Sequence, residues 1–79
     1  MVEELKQSDK IVGLKQSVRA IESGVAKKVF LAKDCAPHIY SEILNNCNDK
    51  VPVELVSTMS ELGKACGIDV GAAVAVIKK

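Results

Sequence analysis

A run of polar and basic residues near the start of the chain has the types and spacing to recognise an anionic ligand. It extends from Gly13 to Arg19 and includes Lys15 and Gln16. In a helix, Lys15, Gln16 and Arg19 lie on adjacent parts of one face, because they are three or four residues apart. Lys and Arg bind phosphates or guanine acceptors, and a Gln amide pairs with base edges. The alternative is an ordinary amphipathic helix with a polar outer face.

Gly13 stands where a short apolar strand gives way to this helix. A helix N-terminus offers free backbone N–H groups and the positive end of the helix dipole. Glycine has no side chain, so the backbone of a ligand can approach it closely. These features favour an irregular RNA with an open groove as the ligand.

The cysteines and the single histidine offer a different chemistry. Cys35 and His38 are three residues apart, which suits two metal ligands or a nucleophile with its base. A structural zinc site needs a second close ligand pair, and Cys47 and Cys66 are widely separated. We therefore expect no metal and three reduced thiols. Cys47 and Cys66 are expected to be buried, and His38 to be exposed at a helix start.

The sequence contains no recognisable catalytic or cofactor-binding motif. Gly63, Gly67 and Gly71 are four residues apart, but they match neither a phosphate-binding loop nor a dinucleotide fingerprint. They are better explained as a closely packed helix position, a helix cap and the start of a strand. We therefore predict a non-catalytic protein with no cofactor and no small-molecule substrate.

Positive charge is concentrated in one part of the chain. The net charge is only +1, but residues 10–33 hold six basic residues and one acidic residue. A basic segment can bind polyanions even when the whole molecule is nearly neutral. Two alternatives are a solvated face that serves solubility and a regulatory module that docks an acidic protein partner.

Length and composition exclude several classes of protein. The 79 residues are 48% hydrophobic, which suits one domain over residues 1–79 with a modest core. The longest uncharged apolar stretch, residues 70–77, is far shorter than the roughly 20 residues that span a bilayer. With no apolar signal segment after Met1, we expect a cytoplasmic protein with no membrane partner. Phe30 and Tyr40 are the only aromatic residues, which argues against stacking of successive bases.

Helices and strands are predicted to alternate. The helices are expected at residues 2–8, 14–23 with Gly24 as cap, from Pro37 to a stop at residues 45–49, and 58–66 with Gly67 as cap. The strands are expected at residues 11–12, 29–32, 51–55 and 71–77. The residues expected to line the inner faces of the second and third helices are Leu14, Val18, Ile21 and Val25, and Ile39, Ile43, Leu44 and Cys47.

Strands that alternate with helices require a sheet that is covered on both faces. The fold class predicted is therefore α/β, a three-layer α/β/α sandwich on a four-stranded mixed sheet. Pro52 places the third strand at the edge of the sheet, or marks where that strand starts.

Three segments resemble the kink-turn-binding ribosomal protein family (the L7Ae family), in particular its short bacterial members. The most specific is residues 62–73, LGKACGIDVGAA, which is similar to the family's signature helix, loop and last strand. Residues 13–19 resemble its Gly-x-Asn-Glu-x-x-Lys motif, and residues 32–37 resemble its strand end and helix start. The resemblance covers residues 10–78.

The resemblance implies binding of kink-turns, which are RNA internal loops with tandem sheared G·A pairs and a sharp bend. By resemblance, Lys15 and Gln16 contact the G·A guanines, Arg19 takes a base or a phosphate, and Gly13 permits close approach. A loop is implied to cover the flipped-out nucleotide, and it consists of Ile68, Asp69 and Val70. The implied protein is a monomer that stabilises kink-turns in ribosomal RNA or messenger leaders, and it is ribosome-associated in the first case.

The sequence departs from the family pattern at three places. Lys15-Gln16 stands where archaeal and eukaryotic members have Asn-Glu, Val70 where many have Arg, and Ala36 where Glu precedes the proline. The first two changes are typical of the bacterial branch, and they affect contact details more than the class of RNA. Two rival functions stay open at this point: a protein-interaction module, and an enzyme that uses Cys35 and His38.

Overall fold

The computed structural model describes residues 10–47, 51–68 and 70–79. In these residues strands and helices alternate as predicted. The strands are β1 (Lys10–Val12), β2 (Ala26–Ala32), β3 (Val53–Val56) and β4 (Val74–Lys78). The helices are α1 (Leu14–Glu22), α2 (Pro37–Cys47) and α3 (Met59–Cys66). The helix predicted at residues 2–8 lies outside the described residues.

The four strands form one mixed sheet in the order β1-β4-β2-β3. Strand β4 is antiparallel to both β1 and β2, and β2 is parallel to β3. Strands β1, β2 and β3 therefore point the same way, and their last residues lie at one end of the sheet with Val74, the first residue of β4. We call this the carboxyl end of the sheet and the opposite one the amino end. Each helix follows a strand, so each starts near the carboxyl end.

Both faces of the sheet are buried. Residues 29–32 in β2 and residues 74–76 in β4 are 0% exposed. Because successive side chains of a strand point to opposite faces, cover is needed on both sides. Helix α1 contacts α2 and β4, and α3 contacts β2, β3 and β4. The predicted three-layer sandwich is confirmed, and burying Phe30 or Leu31 stabilises it by about 1.5–3 kcal/mol each.

Local signals at the helix ends act as the sequence indicates. Pro37 occupies the first turn of α2, where its missing N–H costs nothing. Thr58 caps α3, since its Oγ1 accepts a hydrogen bond from the Glu61 N–H at 3.1 Å. Gly67 follows α3 in the left-handed conformation, with φ 80° and ψ 25°. Gly24, with φ 79°, follows the end of α1 as predicted.

Helical spacing predicts that Val25 and Leu44 are buried, and this prediction is wrong for both. Val25 lies beyond the end of α1 at Glu22 and is 40% exposed. Leu44 is within α2 but is also exposed, because the buried side of this helix is the narrow stripe through Ile43 and Cys47.

Two predicted strands start later than expected. Strand β3 starts at Val53 rather than at residue 51, directly after Pro52, whose carbonyl accepts the Val29 N–H. It is an edge strand, as predicted. Strand β4 starts at Val74 rather than at Gly71. The residues just before Val74 instead pack alongside α3, since the Ala72 N–H donates to the Met59 carbonyl at 3.0 Å.

None of the helices in residues 10–47, 51–68 and 70–79 has the length and apolar character to cross a bilayer.

Candidate functional site

The start of α1 is fixed to the carboxyl end of the sheet by Gly13. The Gly13 N–H donates to the Val74 carbonyl at 3.2 Å, and the Gly13 carbonyl accepts the Ser17 N–H at 3.0 Å. The backbone has φ 113° at this residue, a conformation that residues with a Cβ rarely adopt. No heavy atom would lie within 4 Å of a Cβ built here, so the space in front of Gly13 is open.

The buried side of α1 determines which of its residues face solvent. Ser17, Ala20 and Ile21 are buried against the rest of the domain. Lys15, Gln16 and Arg19 are exposed and share the opposite face, as the spacing predicts.

The first turn of α1 has neither a side-chain cap nor an acidic residue. Its leading backbone N–H groups are therefore open to an external acceptor. Together with the Lys15 side chain they make the start of α1 electropositive, and Arg19 adds a positive charge in the last turn of the helix.

The chain turns back on itself directly after α3. The Gly67 N–H donates to the Lys64 carbonyl and the Ile68 N–H to the Gly63 carbonyl, both at 3.0 Å. This pair of hydrogen bonds is the Schellman motif, and Gly67 supplies its left-handed residue. The chain therefore leaves the helix in a defined direction.

We call residues 68–72 the return segment. Its described residues after Ile68, which are residues 70–72, run back along α3 towards the N-terminus of the helix. A Cβ on Gly63 would collide with the Val70 carbonyl, so the helix and the segment approach at backbone distance. A Cβ on Gly71 would lie 3.2 Å from the Met59 Cβ. Gly63 and Gly71 thus both allow the helix and the segment to pack closely, which the sequence predicts for Gly63.

The return segment presents apolar side chains beside the start of β4. Val70 is 70% exposed, a high value for a branched apolar residue, whereas Ile68 is half-buried against the core. Asp69 lies outside the described residues. The segment leads through Ala73 into Val74, whose carbonyl accepts the Gly13 N–H at the carboxyl end of the sheet.

Two residues at this end were not among the predicted site residues. Asp34 Oδ1 accepts the Met59 N–H at 2.8 Å and so caps the helix that carries the return segment. The Lys33 N–H donates to the Val56 carbonyl at 2.8 Å, and the Lys33 side chain is exposed. The signal that could have found them is their position, directly after the buried run of β2.

The thiols do not have the character of activated nucleophiles. Cys35, Cys47 and Cys66 are buried, and burial is the main cause that raises the pKa of each. The neighbouring Asp34 charge further raises the pKa of Cys35, against a backbone hydrogen bond that lowers it. A neutral thiol is a poor nucleophile at neutral pH. His38 is exposed, and within the described ranges no group of three or more His, Cys, Asp or Glu side chains could hold a metal ion.

The sequence profile of the ribosomal protein L7Ae/L30e/S12e/Gadd45 family matches residues 2–79. The chain belongs to this family.

Curated relatives of this L7Ae family chain match it over nearly their full length. A protein of a Geobacillus species is 44% identical over 76 residues, which is 94% of this chain and 93% of the relative. A protein of Halalkalibacterium halodurans is 40% identical over 73 residues, or 91% and 89% of the two chains. Both relatives are named RNA-binding protein.

Solved structures agree with the L7Ae family assignment. The Giardia lamblia 15.5kD RNA binding protein matches with a TM-score of 0.85 and 28% identity, over 99% of this chain and 68% of that one. A Bacillus halodurans protein of unknown function matches with a TM-score of 0.82 and 26% identity, over 99% and 77%. The predicted family and fold are both confirmed.

In this L7Ae family chain, two unlike surfaces are connected through Val74 at the carboxyl end of the sheet. One is the polar, basic face of α1 together with the uncapped N-terminus of that helix. The other is the apolar return segment. We call their combination the recognition surface, and it consists of Gly13, Lys15, Gln16, Arg19, Ile68 and Val70. Cations and amide groups beside an exposed apolar side chain can bind phosphates and base edges while covering an unstacked base.

Proposed function

We propose that this protein binds RNA, without catalysing a reaction, and that its target is the kink-turn. The observation that carries the proposal is the hydrogen bond from the Gly13 N–H to the carbonyl of Val74, the first residue of β4, because it fixes the start of α1 to the strand that the return segment leads into. Support also comes from the relatives that are named RNA-binding proteins.

The α1 face supplies the polar contacts in this proposal. Gln16 pairs with a base edge and Lys15 with a guanine acceptor in the groove that the sheared G·A pairs open. Arg19, one turn further along the exposed face, takes a base or a phosphate. Gly13 lets the RNA backbone come close to the open first turn, because the space in front of it is empty.

The return segment supplies the apolar contact. Val70 exposes most of its surface, and Ile68 is fixed against the core directly after the helix cap. We infer that residues 68–70, including Asp69, cover the flipped-out loop nucleotide. Single-stranded parts of an RNA can be recognised by a protein when their bases are unstacked.

Binding of this kind acts by shifting a population. A flexible RNA loop that is only partly bent is drawn towards its bent form, because that form alone fits both parts of the recognition surface. We propose that the protein works in this way as a cytoplasmic monomer, on kink-turns of ribosomal RNA or of messenger leaders. On ribosomal RNA it would be ribosome-associated.

The test is a titration of the purified protein against a short kink-turn RNA and a matched duplex that lacks the sheared G·A pairs. Both titrations are run at two salt concentrations, since a basic patch alone gives salt-sensitive binding to any RNA. We expect a preference of about a hundredfold, or about 2.7 kcal/mol, for the kink-turn. Equal, weak and salt-sensitive binding to both RNAs would contradict the proposal and favour a module that docks an acidic protein.

A further inference from the structure

Four lysines gather at the amino end of the sheet, opposite the recognition surface. Lys10 begins β1 and is paired with Ile77, Lys78 is paired with Ala26, and Lys27 lies at the irregularity between Ala26 and Lys28. The Lys79 N–H donates to the Val25 carbonyl at 2.8 Å, which fixes the chain beyond β4 to the start of β2. We call this group the lysine cluster, and it consists of Lys10, Lys27, Lys78 and Lys79.

The charges of the lysine cluster are not neutralised within the described residues. Lys27, Lys78 and Lys79 are exposed and Lys10 is half-buried, and none of the four forms an ion pair in the described part of the chain. Lys28 differs from them, since its Nζ lies 2.8 Å from Glu54 Oε1 and 5.0 Å from the centre of the Phe30 ring. The irregularity in β2 separates the neutralised Lys28 from the free Lys27.

Among the described residues, one acidic side chain is assigned to the neighbourhood of the lysine cluster. Helix α1 ends at this side of the sheet, so Glu22 in its last turn is an acidic neighbour from an adjoining element. Within the described part of the chain, one carboxylate against four ammonium groups leaves an excess of positive charge. A local excess of this kind attracts polyanions even in a nearly neutral protein.

Three residues of the lysine cluster, Lys27, Lys78 and Lys79, lie at the amino end of strands that reach the carboxyl end of the sheet. At roughly 3.3 Å per residue, Lys27 is about 16 Å from Ala32 along β2, and Lys78 is about 13 Å from Val74 along β4. Lys10 is nearer to the recognition surface, since three residues, or about 10 Å, separate it from Gly13. Phosphates bound by the first three lysines therefore lie outside the proposed contact of the α1 face, on another segment of the RNA or on a separate molecule.

We propose that the lysine cluster binds the phosphate backbone of a second RNA segment, so that the protein holds two RNA elements together. Lysine ammonium groups act as flexible point charges, which position phosphates without reading sequence. Phe30 is buried, Tyr40 lies in α2, and Val25 is an exposed apolar side chain at this end. A protein partner would need a more apolar contact. The proposal that this second element is RNA rests on the proposed function.

The experiment uses the full chain, first saturated with a short kink-turn RNA and then titrated with a labelled duplex that has no kink-turn. Wild type is compared with the triple variant Lys27→Gln, Lys78→Gln, Lys79→Gln. The matched control replaces the same three residues by Arg, which keeps the charge. We expect the Gln variant to lose about tenfold or more in duplex affinity and about 2 to 3 units of salt slope. The Arg variant should bind as wild type does, and all three proteins should bind the short kink-turn equally.

Three results would overturn the proposal. The first is unchanged duplex affinity in the Gln variant. The second is an equal loss for the short kink-turn, which would make the lysine cluster part of a single RNA contact. The third is displacement of the duplex by polyglutamate more readily than by unlabelled duplex, which would identify an acidic protein as partner. If wild type shows no kink-turn preference but its duplex binding still depends on the three lysines, the proposed function fails and the second surface stands.

Discussion

The two parts of the recognition surface are built in different ways. The α1 face presents long polar side chains on a helix whose buried side, Ser17, Ala20 and Ile21, is separate from them. The return segment depends on backbone contacts with α3, where Gly63 leaves no room for a side chain and Gly71 leaves little. The first part can therefore lose its function while the fold stays intact. In the second part, function and folding are coupled, because the packing that holds the segment is also packing of the domain.

The largest expected effect is in the return segment, from Gly63→Ala. The new Cβ meets the Val70 carbonyl, which belongs to the backbone and cannot rotate away. We expect a loss of about 3 kcal/mol in the free energy of unfolding, and a loss of RNA affinity in the protein that still folds. Urea unfolding and RNA titration measure the two effects.

The control for this prediction is Gly24→Ala, at the end of α1 away from the recognition surface. Its backbone has φ 79°, but no atom would lie within 4 Å of the new Cβ. We expect it to lower stability through strain alone and to leave RNA affinity unchanged. RNA binding by Gly63→Ala with wild-type affinity would break the proposed coupling.

A smaller effect is expected from Asp34→Ala, which removes the acceptor of the Met59 N–H. Losing a helix cap of this kind costs about 1–2 kcal/mol of stability. RNA affinity should also fall, because the Met59 carbonyl holds Ala72 of the return segment. Asp34→Asn keeps an oxygen acceptor and should recover most of both losses. Equal defects in the Ala and Asn variants would show that stability and RNA affinity depend on the charge of Asp34 and not on its hydrogen bond.

The opposite pattern is expected on α1, from Gln16→Ala and Arg19→Ala. Each exposed side chain contacts RNA in the proposal, so each variant should lose about 1–2 kcal/mol of binding free energy. Stability should stay within about 0.5 kcal/mol of wild type, since neither side chain is buried. Glu22→Ala, on the same helix and also exposed, is the matched control and should change neither property. Unchanged affinity in both variants would remove the α1 face from the recognition surface.

The smallest expected effect is the part of the pH dependence of stability that comes from Cys66 on α3. Burial raises the pKa of Cys66 in the folded protein, so the unfolded chain loses the thiol proton first as pH rises. The stabilisation is fully present below the ordinary thiol pKa of about 8.5 and is lost as pH rises through the raised value. Urea unfolding at pH 7 and about pH 9.5 should show less of this loss in Cys66→Ala than in wild type. An identical pH dependence in both proteins would exclude Cys66 as its source.

The sequence predicts the exposure and grouping of the α1 side chains well, because both depend on local rules. Helical spacing alone groups Lys15, Gln16 and Arg19, and a glycine between a strand and a helix indicates an open start. The limits of such spacing show at Val25 and Leu44. It identifies a possible apolar stripe, but neither the residue at which a helix ends nor the width of its buried side.

The α3 side is less predictable because its contacts join residues that are distant in sequence or belong to the backbone. The spacing of Gly63, Gly67 and Gly71 indicates close packing and a cap, but it does not show that the Val70 carbonyl is the partner of Gly63. It therefore placed the start of β4 at Gly71 instead of Val74. The hydrogen bond from the Met59 N–H to Asp34 likewise joins the first residue of α3 to a turn 25 residues earlier, and the position of Asp34 after β2 does not show that Met59 is its partner.

The central claim is that the two parts of the recognition surface together hold an RNA in a bent form. The most direct test is energy transfer between dyes on the two stem ends of a kink-turn RNA, recorded while the protein is added. We predict that the distance between the ends shortens with the same midpoint as binding, and that an RNA without the sheared G·A pairs stays extended. Saturable binding that leaves the distance unchanged, or that shortens both RNAs equally, would contradict the account.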